Sequence, residues 1–240
     1  MLIFIIIERA TGGLPEYSTW PRAWNTQTGS WLPCVAPMKL YNEHNPAPNP
    51  RRVRIFLAEK GISMPFVHVP IRQGAHKSAE FMMKNSLGQV PVLELDDGST
   101  LSESIAICRY LEELHPTPAL FGNDAWQRAQ VEMWIRRIEF ALLSRIGAVW
   151  INTHPYTAHL GTQYKDYGEA SRVRSIKVMN WLDGELQERA FLATDYFSMA
   201  DIVALTTIDF AAFIGIETPA ELTHLRAWHA RVSARPSSAA

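Results

Sequence analysis

Arg51, Arg52 and Arg54 crowd the start of the segment N-P-A-P-N-P-R-R-V-R-I-F-L-A-E-K-G, Asn45 to Gly61. Cations in the first turn of a helix oppose its macrodipole, so the cluster reads either as a solvated helix face or as the surround of an anionic ligand. The helix is specified locally: Val53, Phe56 and Leu57 repeat at i, i+3 and i+4, the core face of an amphipathic helix. Asn49 suits the N-cap, where its side-chain oxygen accepts a free N–H. Pro50 suits the first helical position, which needs no donor, and Gly61 the residue past the last turn. A strand at Lys39 to Tyr41 precedes the loop. Strand, loop and helix N-terminus in that order form an anion site.

Other chemistries find little support. His224 and His229 are five apart and off one another's helix face, H-E-x-x-H is absent, and no metal site is expected. The chain has no G-x-S-x-G, P-loop or G-x-G-x-x-G, which argues against serine hydrolases, P-loop NTPases and Rossmann dehydrogenases. A formal net charge of -1 creates no field favouring nucleic acid or an anionic membrane, and neither is expected as a partner. Cys34 and Cys108 are the only two cysteines and form no C-x-x-C pair, which points to a reducing, cytoplasmic setting.

The elements that must position these residues fall into two blocks of the 240-residue chain, whose 47% hydrophobic content supplies an ample core. Leu2 to Ile7 is too short an apolar run to span a bilayer and lacks the flanks of a secretory signal. Met38 stands where a natural start would, so residues 1–37 read as an extension outside the fold; a functional tail is the alternative. From Met38 the pattern alternates. After the Pro50–Lys60 helix come a strand at Pro65 to Ile71, a short helix at Ala79 to Lys84, and a strand at Val90 to Leu95. An Asp97-Gly98 hairpin signal, a return strand at Thr100-Leu101, and a helix from Ser104 to Leu114 follow. The order βαβ then ββα predicts a mixed four-stranded sheet flanked by helices over residues 38–115.

Beyond Pro118 the periodicity is helical throughout. Asp124 with Gln127 opens a long helix to about Trp150. Further helices are expected at Ala170 to Arg189, after Ser198, and at Leu222 to Ala234. The one after Ser198 is nearly all apolar and belongs in the centre of a bundle. Residues 123–240 therefore form an all-helical domain.

Three segments carry a resemblance to a known family: Gln89-Val90-Pro91-Val92-Leu93, Leu101-Ser102-Glu103-Ser104-Ile105-Ala106-Ile107, and Ser198-Met199-Ala200-Asp201. In this order they resemble the soluble glutathione transferases: a thioredoxin-like α/β domain with a cis-proline loop, a Glu-Ser glutathione motif, and a helical-bundle domain whose buried helix starts in a capping box. The resemblance covers nearly all of the chain from Met38. It implies that the backbone of Val90, before Pro91, pairs with the cysteinyl backbone of glutathione. Glu103 would hold the peptide's α-amine, and Ser104, at a helix N-terminus, the γ-glutamyl carboxylate. Gln89 resembles the family position that reaches the glycyl end. His76-Lys77 sits in a G-x-H-K stretch similar to one in theta-like transferases, with Lys77 the better electrostatic candidate. Without the resemblance, Pro91 reads as a strand-edge proline and Ser104 as an ordinary N-cap.

The thiol activator departs from the pattern. Where related classes carry Ser or Cys, four residues before Arg51, this chain has Ala47. The loop A-P-N-P-R most resembles nu-class and related bacterial transferases, in which a threonine and an asparagine face the sulfur; Asn49 matches that asparagine. A thiol of ordinary pKa is only a few per cent ionised at pH 7. Lowering it by about two units requires roughly 2.7 kcal/mol of thiolate stabilisation. An amide N–H from Asn49, the helix N-terminus and the nearby arginines, each worth on the order of 1 kcal/mol, supply that between them. Asn45 is a second donor in the same loop, and the helix cap competes for Asn49. The resemblance implies a dimeric transferase that adds the glutathione thiolate to a small electrophile, with glutathione as co-substrate. The nu-like loop suggests a glutathione-dependent disulfide or peroxide reductase as the alternative, and Ala47 a non-catalytic binding protein. Trp150, His154 and Tyr156, at the end of the first long helix, are the candidates for the acceptor pocket.

Overall fold

The computed structural model describes residues 23–25, 30–32, 38–44 and 47–240. Residues 1–37 and 38–240 are separate compact units. In the first, β1 (Ala23–Asn25) pairs antiparallel with β2 (Ser30–Leu32), two strands that the aperiodic sequence gave no reason to expect. The run Leu2 to Ile7, and with it most of the segment read as an extension, lies outside the described residues.

The second unit opens with β3 (Lys39–Asn42), which leads into α1 (Pro48–Lys60) and then β4 (Phe66–His68). The short helix α2 (Ala79–Lys84) precedes β5 (Val92–Glu94), β6 (Thr100–Ser102) and α3 (Ser104–Leu114). The sheet order is β4-β3-β5-β6, with β3 and β4 parallel and the other neighbours antiparallel, a mixed sheet as the element order predicts. Leu40 and Leu93 face each other across β3 and β5 and are fully buried. The β4 strand is shorter than its apolar sequence suggests, because past Pro70 the chain turns into two 3-10 segments, Ile71–Gln73 and Ala75–Lys77. Likewise β5 starts only at Val92, after Pro91, which has no N–H for the ladder. The Val90-Pro91 bond is cis.

A polar clamp joins this α/β half to the helices. Lys60 Nζ meets Glu112 at 2.6 Å and donates to the carbonyls of His115 and Pro118. Glu112 in turn accepts from the Leu120 and Phe121 N–H groups. Then α4 (Ala125–Arg137), capped by Asp124, passes without a break in helical backbone through a π-helical stretch, Ile138–Leu143, into α5 (Ser144–Thr153). The apolar stripe predicts one uniform helix here; the π turn within it is not visible in that spacing.

Next come α6 (Lys165–Glu185), α7 (Met199–Phe213) and α8 (Thr223–Ser233). The second of these is buried along nearly its whole length. Its N-terminus carries the expected capping box: Asp201 accepts from the Ser198 N–H at 3.0 Å, and also from Leu192 and from the indole N–H of Trp228. The chain then runs back across α1, where Arg235 pairs with both carboxylate oxygens of Glu59. Among the described residues no helix is long and apolar enough to cross a membrane.

Candidate active site

The α1 N-terminus differs from the sequence expectation. The N-cap is Ala47, extended and without a side-chain cap, and Pro48 rather than Pro50 occupies the first helical position. Proline's fixed φ suits that place, and the A-P-N-P run offers it two residues earlier. Asn49 therefore caps nothing. It lies in the first turn, half-buried, with no hydrogen bond to any described residue. Asn45 lies outside the described residues.

The arginines are not a solvated face. Arg52 is 1% exposed; its guanidinium pairs with Glu139 at 2.9 Å and reaches Ser104 Oγ and Thr206 Oγ1 at 3.4 Å, with Nη2 unpartnered. Burial lowers its pKa, against the pull of Glu139. Arg54 Nη1 donates to Asn42 Oδ1 and the Glu43 carbonyl, both at 2.9 Å, and so ties off the end of β3. Arg51 pairs with Asp209, which also accepts from His229 Nε2 at 2.6 Å, and Arg51 donates to the Ser238 carbonyl.

One end of the sheet gathers the motif residues. Val92 pairs with Ser102, so the cis Val90-Pro91 turn that precedes β5 and the Glu103-Ser104 start of α3 that follows β6 leave the same end of the β5–β6 pair. The Val90 N–H and C=O have no partner among the described residues. Glu103 precedes α3 with φ 69° and ψ 116°, a left-handed φ without a glycine. Such a backbone costs about 1–3 kcal/mol and is tolerated chiefly where function needs the position. Its exposed carboxylate has no ion pair or hydrogen bond with a described residue. Ser104 is the first residue of α3, buried, with its hydroxyl against Arg52.

Close by in the fold, Lys77 Nζ donates to the Leu87 carbonyl at 2.8 Å. Gly88 must be small and left-handed here: a Cβ would stand 2.6 Å from the His76 carbonyl and 3.0 Å from Lys77 Cδ. This packing sets Lys77 beside Gln89, whose carbonyl accepts from Asn85. Burial, then the neighbouring Lys77, lowers the His76 pKa.

Trp150, His154 and Tyr156 do come together. Trp150 lies 4.3 Å from His154 and stacks on Tyr156 at 5.7 Å, ring centre to ring centre. Phe210 and Phe213 of α7 extend the cluster, at 5.6 and 6.3 Å from Trp150, and Arg72 from the α/β half sits over the Tyr156 ring at 5.6 Å. Beside this aromatic wall a cavity of about 380 Å³ separates the α1 N-terminus from α7, with His44, Pro48, Arg51, Arg54, Asp209 and Phe210 among its walls. Asn49 lies between Pro48 and Arg51 in sequence but is not itself a wall residue, and the glutathione-motif residues do not line this cavity. Arg54 belongs to the basic cluster that the sequence singles out; sequence reasoning missed Asp209 and, as site residues, the two phenylalanines. Phe210 and Phe213 are three apart, a spacing that also describes ordinary core. Among the described residues no three His, Cys, Asp or Glu groups are placed to hold a metal ion.

Residues 47–114 match the family described as glutathione S-transferase, N-terminal domain, and residues 147–236 its C-terminal domain. Glutathione S-transferase 2 of Saccharomyces cerevisiae is 40% identical over 197 residues, covering 79% of this chain and 83% of the yeast protein. The chain belongs to the glutathione transferase family. Solved structures agree: the yeast transferase Gtt2 superposes with a TM-score of 0.78 at 38% identity, over 83% of this chain and 97% of the other. A glutathione S-transferase domain-containing protein of Marinobacter aquaeolei gives 0.79 at 39%, over 83% and 98%. In this transferase the cis Val90-Pro91 loop and the α3 N-terminus form one end of the sheet, and the aromatic wall belongs to the helical half.

Proposed function

We propose that the enzyme binds glutathione along the sheet end, stabilises its thiolate near the α1 N-terminus, and adds it to a small electrophile held against Trp150, His154 and Tyr156. The observation that carries this reading is the set of uncommitted groups around Val90. Two unpaired backbone groups, the unpartnered Glu103 carboxylate and the α3 N-terminus with Ser104 match, in order, a peptide N–H and C=O, an ammonium and a carboxylate. Lys77 and Gln89 take the glycyl end of the peptide in this reading, supported by the packing of Lys77 against Gly88, next to Gln89. Asn49 is the thiolate donor in this reading, supported by its unbonded amide at the start of α1. The thiol proton leaves to solvent; the sulfur electron pair forms the new C–S bond, and the leaving group departs with its own pair.

Titration of bound glutathione by its ultraviolet thiolate absorbance tests this directly. A midpoint about two units below the free thiol is expected, and an unshifted midpoint would sink the catalytic reading. That outcome would favour a glutathione-binding protein without catalysis, the reading that Ala47 supports, since alanine offers neither hydroxyl nor thiol. Testing a chlorodinitrobenzene beside a small disulfide divides transferase from reductase. We also infer a cytoplasmic homodimer. Support comes from large apolar side chains left exposed on the α4–π rod, Trp126 at 72% and Phe140 at 69%. Light scattering coupled to gel filtration reads the oligomeric state, and a monomer at micromolar concentration would refute it.

A further inference from the structure

The loop that leads into the cis Val90-Pro91 turn rests on a thioether. Met82 lies in α2, and its Sδ sits under the Gly88 backbone, so near that a Cβ there would stand 2.7 Å from the sulfur. Lys77 Cδ and the His76 carbonyl crowd the same point at 3.0 and 2.6 Å. The loop is tightly tied. The Gly88 N–H donates to the Asn85 carbonyl at 2.7 Å, the Leu87 N–H to Asn85 Oδ1 at 3.1 Å, and Asn85 Nδ2 to the Gln89 carbonyl at 2.8 Å. Lys77 Nζ closes over it on the Leu87 carbonyl. Solvent nevertheless reaches the methionine: Met82 is 36% exposed and Met83 82%, whereas Met38, Met179 and Met199 are buried. One step along a helix turns the side chain by about 100°, so Met83 is directed away from Gly88 and serves as an internal control. Cys108 is buried, so its thiol does not compete for an oxidant from solvent.

We propose that Met82 is an oxidation site that governs glutathione binding: a hydroperoxide converts it to the sulfoxide, which loosens the loop from Asn85 to Gln89 and draws Lys77 from the peptide's glycyl carboxylate. This rests on the glutathione reading above and adds a regulatory modification to the same site. A sulfur lone pair attacks the terminal peroxide oxygen, and the S–O bond forms as the O–O bond breaks. The hydroxyl proton passes to the departing oxygen, which leaves as water or an alcohol; sulfur gives up two electrons and the peroxide takes them. The thioether is apolar and pliant, whereas the sulfoxide is polar and chiral. Its oxygen competes for the Lys77 ammonium, packed alongside, with the Leu87 carbonyl and with a bound carboxylate.

The test treats the protein with hydrogen peroxide, removes the oxidant, and follows Met82 sulfoxide by peptide mass beside the glutathione Kd by calorimetry. Kd is expected to rise about fivefold, the worth of one exposed ion pair, in step with Met82 and not with the earlier conversion of Met83. The two methionine sulfoxide reductases, one for each epimer, should together restore it. Met82→Leu should show the same Kd before and after peroxide, and Met83→Leu the wild-type response. A Kd that stays constant with Met82 oxidised, or one that rises equally in Met82→Leu, would overturn the inference. So would a Met82 that resists peroxide after Met83 is fully converted. If the untreated protein binds no glutathione, the glutathione reading has failed instead, and hydrogen exchange decides the inference. Faster exchange of the Leu87 and Gly88 amides on oxidation, absent from Met82→Leu, upholds it, and unchanged exchange overturns it.

Discussion

Replacing Asn49 by alanine separates the two roles its sequence position suggested. Ala47 caps α1 and Asn49 makes no described hydrogen bond, so the substitution removes no cap. Alanine is the better helix former by about 0.6 kcal/mol, and stability should hold or rise slightly. The effect on the bound thiol is different. A hydrogen bond to a charged group is worth about 1.5–3 kcal/mol, which at 1.36 kcal/mol per unit amounts to about one to two pKa units. Because the donor favours the thiolate, its loss moves the midpoint upward. At pH 6.5, near the expected wild-type midpoint, the fraction ionised, and with it kcat/KM, should fall by about 5- to 50-fold, and the deficit should largely vanish well above the raised midpoint. Thiolate absorbance of the glutathione complex against pH, paired with thermal unfolding of wild type and variant, reads both quantities. An unmoved midpoint with a loss of about 1 kcal/mol, a few degrees in Tm for a protein of this size, would refute the reasoning and return Asn49 to the cap.

Other outcomes follow from the same geometry. Glu103→Gln should weaken glutathione binding about fivefold at low salt, since an exposed ion pair is worth up to about 1 kcal/mol; calorimetric Kd values that do not change would remove Glu103 from the ammonium site. Arg52→Met should destabilise the protein by about 3 kcal/mol in urea unfolding, because Glu139 loses its buried partner, and adding Glu139→Leu should recover part of the loss. Trp150→Ala should raise KM for an aromatic acceptor by an order of magnitude while leaving the glutathione Kd within about twofold, as it strips four ring contacts from the acceptor wall alone. The Glu94 carboxyl is held down to about 2 by hydrogen bonds from Lys39 and Lys84. A depressed carboxylate stabilises the fold above its unfolded pKa, and that contribution is lost as pH falls from about 4.5 through about 2. Glu94→Gln should therefore flatten the acid limb of stability in denaturant titrations at pH 5 and pH 2.5.

Local rules carried much of the architecture. Ser104–Leu114 and Ala79–Lys84 were readable to the residue because Ser78, Asn85 and the His115-Pro116 pair mark their ends. The box at Ser198 and Asp201 is likewise a local pattern of four residues. What stayed hidden depends on partners far along the chain. Nothing near Arg52 in sequence announces Glu139, 87 positions away, so a buried arginine looked like a surface one. The choice of Pro48 over Pro50 as first helical residue turned on two prolines that satisfy the same rule. The π turn at Ile138–Leu143 leaves the apolar stripe intact, with Ile138, Leu142, Ile146 and Val149 all buried, so the spacing carries no sign of it. Phe210 lies on a helix whose apolar run predicts bundle core, and nothing in that run announces that α5 brings Trp150 against it.

The Arg52 tie bears on how the molecule comes apart. Family likeness runs in two stretches, 47–114 and 147–236, as though a pair of modules had been joined. Yet Arg52, on the first stretch, is paired with Glu139 and Thr206 from beyond it, and Lys60 is closed over the connecting segment. Pulling the halves apart would strand the Arg52 guanidinium and leave Lys60 with Glu112 alone, without the carbonyls of the connecting segment, so neither half gains by unfolding first. Inheritance in two pieces and melting in one step are compatible: the unit of ancestry here is smaller than the unit of cooperativity.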